Sequence, residues 1–212
     1  MKLTYILLVA IIAAFMLSFN GNTGAIFDRF GFSASNMMSH PETLVTSIFL
    51  HGSLEHLLSN LLVFLFVGLA VEKELGKFRM LAVFFIGAFA GDLLSLAFYP
   101  AGTLSIGASG GIFALIGIGM IVRPMDLSAY PLVVPVPLAF LGIMYIFYNS
   151  YGFFTDTTSN ISYMAHFGGL GIGLLYGVLL RGIKKSLQIL LAASIALLAV
   201  AIITAYILGL FG

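Results

Sequence analysis

Seven apolar runs divide the chain, at about residues 4–20, 54–71, 79–99, 108–122, 131–149, 162–180 and 187–210. Each is continuous rather than alternating, and several approach the roughly 20 residues that a helix needs to cross a bilayer. The strands of a closed membrane barrel would instead alternate apolar and polar positions. The pattern therefore predicts helices, in which the backbone satisfies its own hydrogen bonds in lipid. The fourth run is short, about 15 residues, and opens on Gly107-Ala108-Ser109-Gly110. Ser109 is expected below the membrane surface, reached by a loop that dips in. Such irregular backbone is tolerated where it lines a cavity.

The longest polar interval is Gly21 to Ser53. A connection of that length in a compact protein is usually functional. Its apolar residues, among them Ile26, Phe27, Phe30, Phe32, Met37 and Met38, suggest that it lies partly in the outer leaflet. The stretch Ser150 to Ile161 carries Asp156, Thr157, Thr158 and Asn160 and is expected to form a movable cap above His166. Lys2 followed by Leu3 to Leu17 resembles a signal peptide, but no small-residue cleavage site follows before Asn20. That segment is read as the first spanning helix. No internal repeat or low-complexity tract is evident. The expected organisation is one membrane domain over 1–212, with a core over 1–186 and a further spanning helix over 187–212.

Composition strengthens this picture. The chain is 61% hydrophobic and 8% charged, against about 25% charged residues in a soluble domain. So little charge cannot cover a water-facing surface. With no cysteine there is neither a disulfide nor a thiolate metal site. The net charge of +1 says nothing about a nucleic-acid partner, but no basic patch stands outside the short loops, and no such partner is expected. The basic residues set an orientation. With the N-terminus in the cytoplasm, Lys2, Lys73, Lys77, Arg79, Arg123, Arg181, Lys184 and Lys185 fall inside, eight of the nine. Arg29 alone falls outside. Seven spans then put the C-terminus outside, together with the ends of spans two, four and six that carry polar residues. The expected location is the cell membrane.

Those polar residues are the candidate chemistry, because polar groups at membrane depth are costly and tend to line a working site. Ser109 sits among Gly107, Gly110 and Gly111 at a helix start, where free N–H groups and the positive dipole end point outward. A serine there can attack a carbonyl while backbone N–H groups hold the oxyanion. Taken alone, the motif fits a small-residue packing face better. His166 is a candidate base, since imidazole titrates near neutrality. A structural or proton-carrying histidine is the alternative. Gly169 and Gly173 on its helix, and Gly110, Ala114 and Gly117 on the fourth, form small faces whose packing would bring Ser109 to His166. Phe113, one turn past Ser109, is positioned to stack on the imidazole. His56 and Asn60 share a helix face and suit an oxyanion, although interhelical hydrogen bonding is common for both types. His40, His51, His56 and His166 match no zinc spacing. Asp92 lies mid-span in the third run, either as a proton carrier or paired with a polar neighbour. Glu72 and Gly76 are expected to organise the turn after span two.

Together these residues resemble the rhomboid intramembrane serine proteases, over roughly residues 40 to 182. Gly107-Ala108-Ser109-Gly110 matches the family's GxSG motif. Ala165-His166, with Gly169 and Gly173, matches its AHxxGxxxG helix. His51, Ser53, His56 and Asn60 match its first polar cluster, and Glu72-Lys-Glu-Leu-Gly76 matches the turn that follows. The family's Trp-Arg pair in the first loop stands here as Glu42-Thr43. The resemblance implies an all-α helical bundle of six helices, here six plus one. It implies a Ser109–His166 dyad without an acidic third member, an oxyanion site from His56, Asn60 and the Ser109 N–H, and Phe113 where an aromatic stacks on the base. It implies transmembrane-helix substrates cleaved near the outer membrane face, with membrane lipid as the surroundings and no cofactor or metal. Two other readings stay open from the residues: a small transporter or channel using Asp92 and the histidines as proton sites, and a non-catalytic membrane chaperone.

Overall fold

A computed structural model describes residues 2–19, 22–127, 136–156 and 161–208. Nine helices stand among them: α1 (Leu3–Phe19), α2 (Thr23–Phe30), α3 (Thr43–Thr46), α4 (Leu54–Leu75), α5 (Lys77–Ser95), α6 (Ser109–Val122), α7 (Leu138–Thr155), α8 (Tyr163–Arg181) and α9 (Ile183–Ile207). The protein is an all-α, polytopic helical bundle of the integral membrane class. Helices α4, α5, α7, α8 and α9 are long and apolar enough to cross a membrane, and α1 and α6 are shorter apolar helices. Among the described residues no strand forms, and one isolated bridge joins Phe32 to Ser105.

Helix α6 is the hub. It is apolar all round, and every residue from Gly110 to Val122 is buried. A helix without a polar face must be enclosed by others, and α4, α5, α7 and α8 do this. The closest packing joins α5, α6 and α8 through small residues. A Cβ at Gly117 would lie 2.6 Å from the Leu170 carbonyl oxygen, and one at Gly168 would lie 2.7 Å from the Gly91 Cα. A Cβ at Gly169 or Gly173 would collide with the carbonyl oxygens of Gly110 and Ala114. In lipid, helix association depends on such close approach. Helix α9 is the opposite case. Only Ser186 and Ala193 are buried on it, while Leu187, Leu191, Ile195, Leu198 and Ile202 point outward.

Polar contacts gather at the helix ends. The Glu72 carboxylate accepts from the N–H groups of Leu3 (2.9 Å) and Thr4 (3.0 Å) and from the Thr4 hydroxyl (2.6 Å). It caps α1 and ties it to α4, rather than only organising a turn. Gly76 then breaks α4 from α5 with φ +81°, a conformation that favours glycine. At this same end Arg181 reaches Glu74 at 3.0 Å and the Val122 carbonyl at 3.1 Å. Arg123 pairs with Asp126 and lies 3.5 Å from Glu74.

Some boundaries differ from the sequence reading. Residues 150–155, expected in a loop, continue α7, because the aromatic residues Tyr151, Phe153 and Phe154 extend the apolar run past Asn149. Of the proposed cap, Thr157 to Asn160 lie outside the described residues, as do 131–135 of the expected fifth span, Asn20 of the first and 209–210 of the seventh. Helix α9 begins at Ile183 rather than 187, since Gly182 (φ +79°) ends α8 one residue earlier. Within the long first connection Asn22 caps α2, its Oδ1 accepting from the Ala25 N–H at 3.2 Å. Glu42 and Thr43 anchor this connection. Glu42 binds Arg29 at 2.8 Å, and the Thr43 hydroxyl donates to the His40 carbonyl at 2.7 Å. Its own backbone N–H, followed by the Arg29 guanidinium, holds the Glu42 carboxyl below its usual range.

Candidate active site

Ser109 is the first residue of α6, directly after Gly107 and Ala108. Gly107 adopts φ +115°, and a Cβ there would sit 2.8 Å from the His56 ring. Glycine therefore permits both the turn into α6 and the approach of His56. The Gly107 N–H donates to the Ser47 carbonyl at 2.9 Å, which pins this turn to the first connection. The opening N–H groups of a helix have no intrahelical acceptor, so the backbone around Ser109 offers donors and a positive dipole end.

His166 lies on the first turn of α8, and its helix meets α6 along the Gly110–Gly169 and Ala114–Gly173 contacts. Its Nε2 is 2.8 Å from the Ser109 Oγ. The Phe113 ring stacks on the imidazole, with centroids 4.2 Å apart and planes within 5°. Tyr145 of α7 packs edge-on against Phe113 at 5.3 Å. Ser162 caps α8, accepting from the Ala165 N–H at 3.4 Å. The structure thus brings together residues 57 positions apart in sequence through glycine-lined helix contacts.

His56 and Asn60 occupy one face of α4 and line the same cavity. Asn60 donates one amide N–H to the His56 carbonyl at 3.0 Å, leaving its second N–H available. The His51 and His56 rings lie 4.9 Å apart. His40 stands apart, 3.3 Å from Glu42. Among the described residues no group of three or more histidines, aspartates or glutamates is arranged to hold a metal ion. Asp92 has a polar partner, accepting from the Ser105 hydroxyl at 2.7 Å. Ser105 in turn exchanges backbone hydrogen bonds with Phe32, so Asp92 fastens the loop that leads into Ser109.

The cavity has a volume of about 710 Å³, and Ser109, His166, His56, Asn60 and Asp92 are on its wall. A nucleophile and a base in hydrogen-bond contact, on a concave surface with donors nearby, can support acyl transfer.

One residue escaped the sequence reading. Asn149 of α7 is fully buried, and its Oδ1 lies 2.9 Å from the His166 Nδ1. It stands at the end of the expected fifth span, where an asparagine reads as a helix terminus. The available signal was its polarity within an otherwise apolar aromatic run, which marks a functional candidate in a membrane helix.

Comparison with known proteins agrees with this architecture. The Rhomboid domain model matches residues 38–183, more than half of the chain. RHOMBOID-like protein 1 of Arabidopsis thaliana is 36% identical over 100 residues, 46% of this chain and 25% of that protein. Rhomboid-like protease 2 of Toxoplasma gondii is 30% identical over 142 residues, 65% of this chain and 47% of that protein. Rhomboid protease GluP of Bacillus subtilis is 30% identical over 189 residues, 86% of this chain and 35% of that protein. The chain thus spans less than half the length of each of these three relatives. With the domain model covering both the Ser109 and His166 helices, the chain belongs to the rhomboid family.

Proposed function

We propose that this chain is an intramembrane serine endopeptidase that cleaves transmembrane-helix substrates near the outer membrane face. The observation that carries the reading is the 2.8 Å contact between Ser109 Oγ and His166 Nε2 on the wall of a large cavity. That two of the relatives are named proteases supports it. His166 takes the hydroxyl proton as Ser109 Oγ attacks the scissile carbonyl carbon. The oxyanion is held by the Ser109 N–H, the second Asn60 N–H and a His56 ring N–H. Collapse of the intermediate breaks the C–N bond, and the imidazolium gives its proton to the leaving amine. Water then attacks the acyl-enzyme, His166 accepts its proton, and a carboxylic acid leaves with Ser109 restored. The sequence of steps calls for no cofactor or metal.

The same reading assigns an orientation and a division of the chain. Eight of nine basic residues fall on one side when the N-terminus is cytoplasmic, so the cavity opens outside, in the cell membrane. A six-helix core up to about residue 186 carries the chemistry, and α9 is an added span. Support for that division is the end of the family match at residue 183, where α9 begins.

The test is a fluorophosphonate probe with a model transmembrane substrate, applied to purified wild type and Ser109→Ala. Labelling and cleavage by wild type alone are expected. A wild type that neither labels nor cleaves would overturn the protease, leaving a helix-binding chaperone or a proton carrier based on Asp92.

A further inference from the structure

The Ser109–His166 contact leaves one question of proton placement, and the answer lies on a third helix. A neutral imidazole has one donor nitrogen and one acceptor nitrogen. Only with the proton on Nδ1 can Nε2 receive the serine proton. With the proton on Nε2, the ring would donate to Ser109 and could not act as its base. The hydrogen bond at Nδ1 sets which form is present.

We propose that Asn149 is the positioning residue of this pair: its side-chain carbonyl holds His166 in the Nδ1–H form and leaves Nε2 free to take the serine proton. This rests on the serine-protease reading above. The Asn149 Oδ1 is 2.9 Å from Nδ1, and a carbonyl oxygen only accepts. Asn149 has no exposed surface, and its Nδ2 has no hydrogen-bond partner among the described residues. Native structures seldom leave a buried donor unmade without a reason. Among the described residues the amide has one hydrogen-bond contact, and that contact is the imidazole.

The neighbouring packing fixes the contact. Gly152, three residues on, lets α7 approach α8, since a Cβ there would meet the Tyr163 ring at 2.5 Å. The Tyr163 hydroxyl donates to Asp156 at 2.8 Å across the same helix pair. Phe113 closes the flat face of the imidazole. The ring is therefore held at one edge by α7, on one face by α6 and at its root by α8.

A neutral amide also suits the site better than a carboxylate. An unpaired buried carboxylate is strongly disfavoured away from water, whereas an amide carbonyl supplies the acceptor without a net charge. Its dipole also steadies the imidazolium when His166 carries the second proton. Asparagine fills this part beside histidine in other hydrolase constellations.

The test uses the full chain labelled with ¹⁵N-histidine, in detergent, with the His166 signals assigned against His166→Asn. The chain has four histidines, so the spectrum is tractable. In wild type the neutral ring should carry its proton on Nδ1. Asn149→Leu, close in size and without an acceptor, should populate the Nε2–H form. Its kcat should fall about 10- to 100-fold, by analogy with a lost outer hydrogen bond to a metal-bound histidine, with KM changed by less than about twofold. Asn149→Asp, recorded at a pH where its carboxyl is ionised and only accepts, should keep Nδ1–H and recover most of kcat. A Leu variant that keeps the wild-type tautomer overturns the proposal, whatever its activity. So does an Asp variant that shifts to Nε2–H, and this arm decides alone if the Leu variant misfolds. The spectrum needs no turnover. A wild type without cleavage or probe labelling would defeat the protease reading, and the tautomer would still decide the role of Asn149.

Discussion

The Phe113 ring lies flat on the imidazole of His166, with centroids 4.2 Å apart and planes 5° from parallel. Both residues emerge from helices that touch through glycine, so the stack is a product of close helix packing. A stacked aromatic pair contributes about 0.5–1.5 kcal/mol. If that energy orients the base, Phe113→Ala should lower kcat roughly 2- to 13-fold. Phe113→Tyr keeps the ring face and should stay near wild type. Equal rates in the two variants would make Phe113 a packing residue only.

Ser109→Ala and His166→Ala should each abolish cleavage of a model transmembrane substrate. Nucleophile and base act as one unit, and losing either costs on the order of 10⁶-fold in kcat. The double variant should be no worse than either single one. Turnover by purified Ser109→Ala protein would remove the nucleophile assignment.

Asn60→Ala should slow cleavage without ending it. One lost oxyanion donor costs on the order of 10²- to 10³-fold, and the His56 ring and the Ser109 N–H remain. Comparing kcat in Asn60→Ala, His56→Ala and the pair measures how the load is divided. A pair that runs at the wild-type rate would exclude both from the oxyanion site.

Gly169→Val should inactivate by parting α6 from α8, because a Cβ at that position collides with the Gly110 carbonyl oxygen. Overpacking a filled interior typically costs about 1–3 kcal/mol, and here the displaced backbone carries Ser109. Gly110→Val should act in the same sense, with the Ala88 Cα 3.3 Å from the added Cβ. Gly171→Ala is the control, since nothing lies within 4 Å of a Cβ there. Full activity in Gly169→Val, with unchanged thermal stability, would mean that this contact does not hold the site.

These contacts also separate what the sequence discloses from what it hides. Period and composition are local properties, so the apolar runs mark seven of the helices, all but α7 to within four residues at each end. The small faces of α6 and α8 are local too, and they imply the meeting of Ser109 and His166 that the structure has at 2.8 Å. The partners of Asn149 and Asp92 are set by tertiary approach. Nothing near residue 149 points to residue 166, and nothing near residue 92 selects Ser105. The end of α7 was hidden for another reason. Asn149 and Ser150 read as a polar helix terminus, but Tyr151 to Thr155 carry the helix on. The anchoring of the first connection was equally illegible, because Glu42 meets Arg29 across 13 residues.

The orientation proposed from charge is open to a direct chemical test. The lysines and arginines at the Glu74 end of the bundle, Lys73, Arg123 and Arg181 among them, should face the cytoplasm. Ser109, His166 and the cavity would then open outward. The chain has no cysteine, so a single introduced thiol gives an unambiguous signal. Glu55, exposed at the cavity end of α4, and Lys184, exposed on the first turn of α9, stand at opposite ends of the bundle. Glu55→Cys should react with a membrane-impermeant maleimide in intact cells, and Lys184→Cys only after the membrane is opened. The reverse pattern would turn the molecule over and put cleavage at the cytoplasmic face. Because the two thiols report independently, labelling of both in intact cells would expose a leaky preparation rather than a topology.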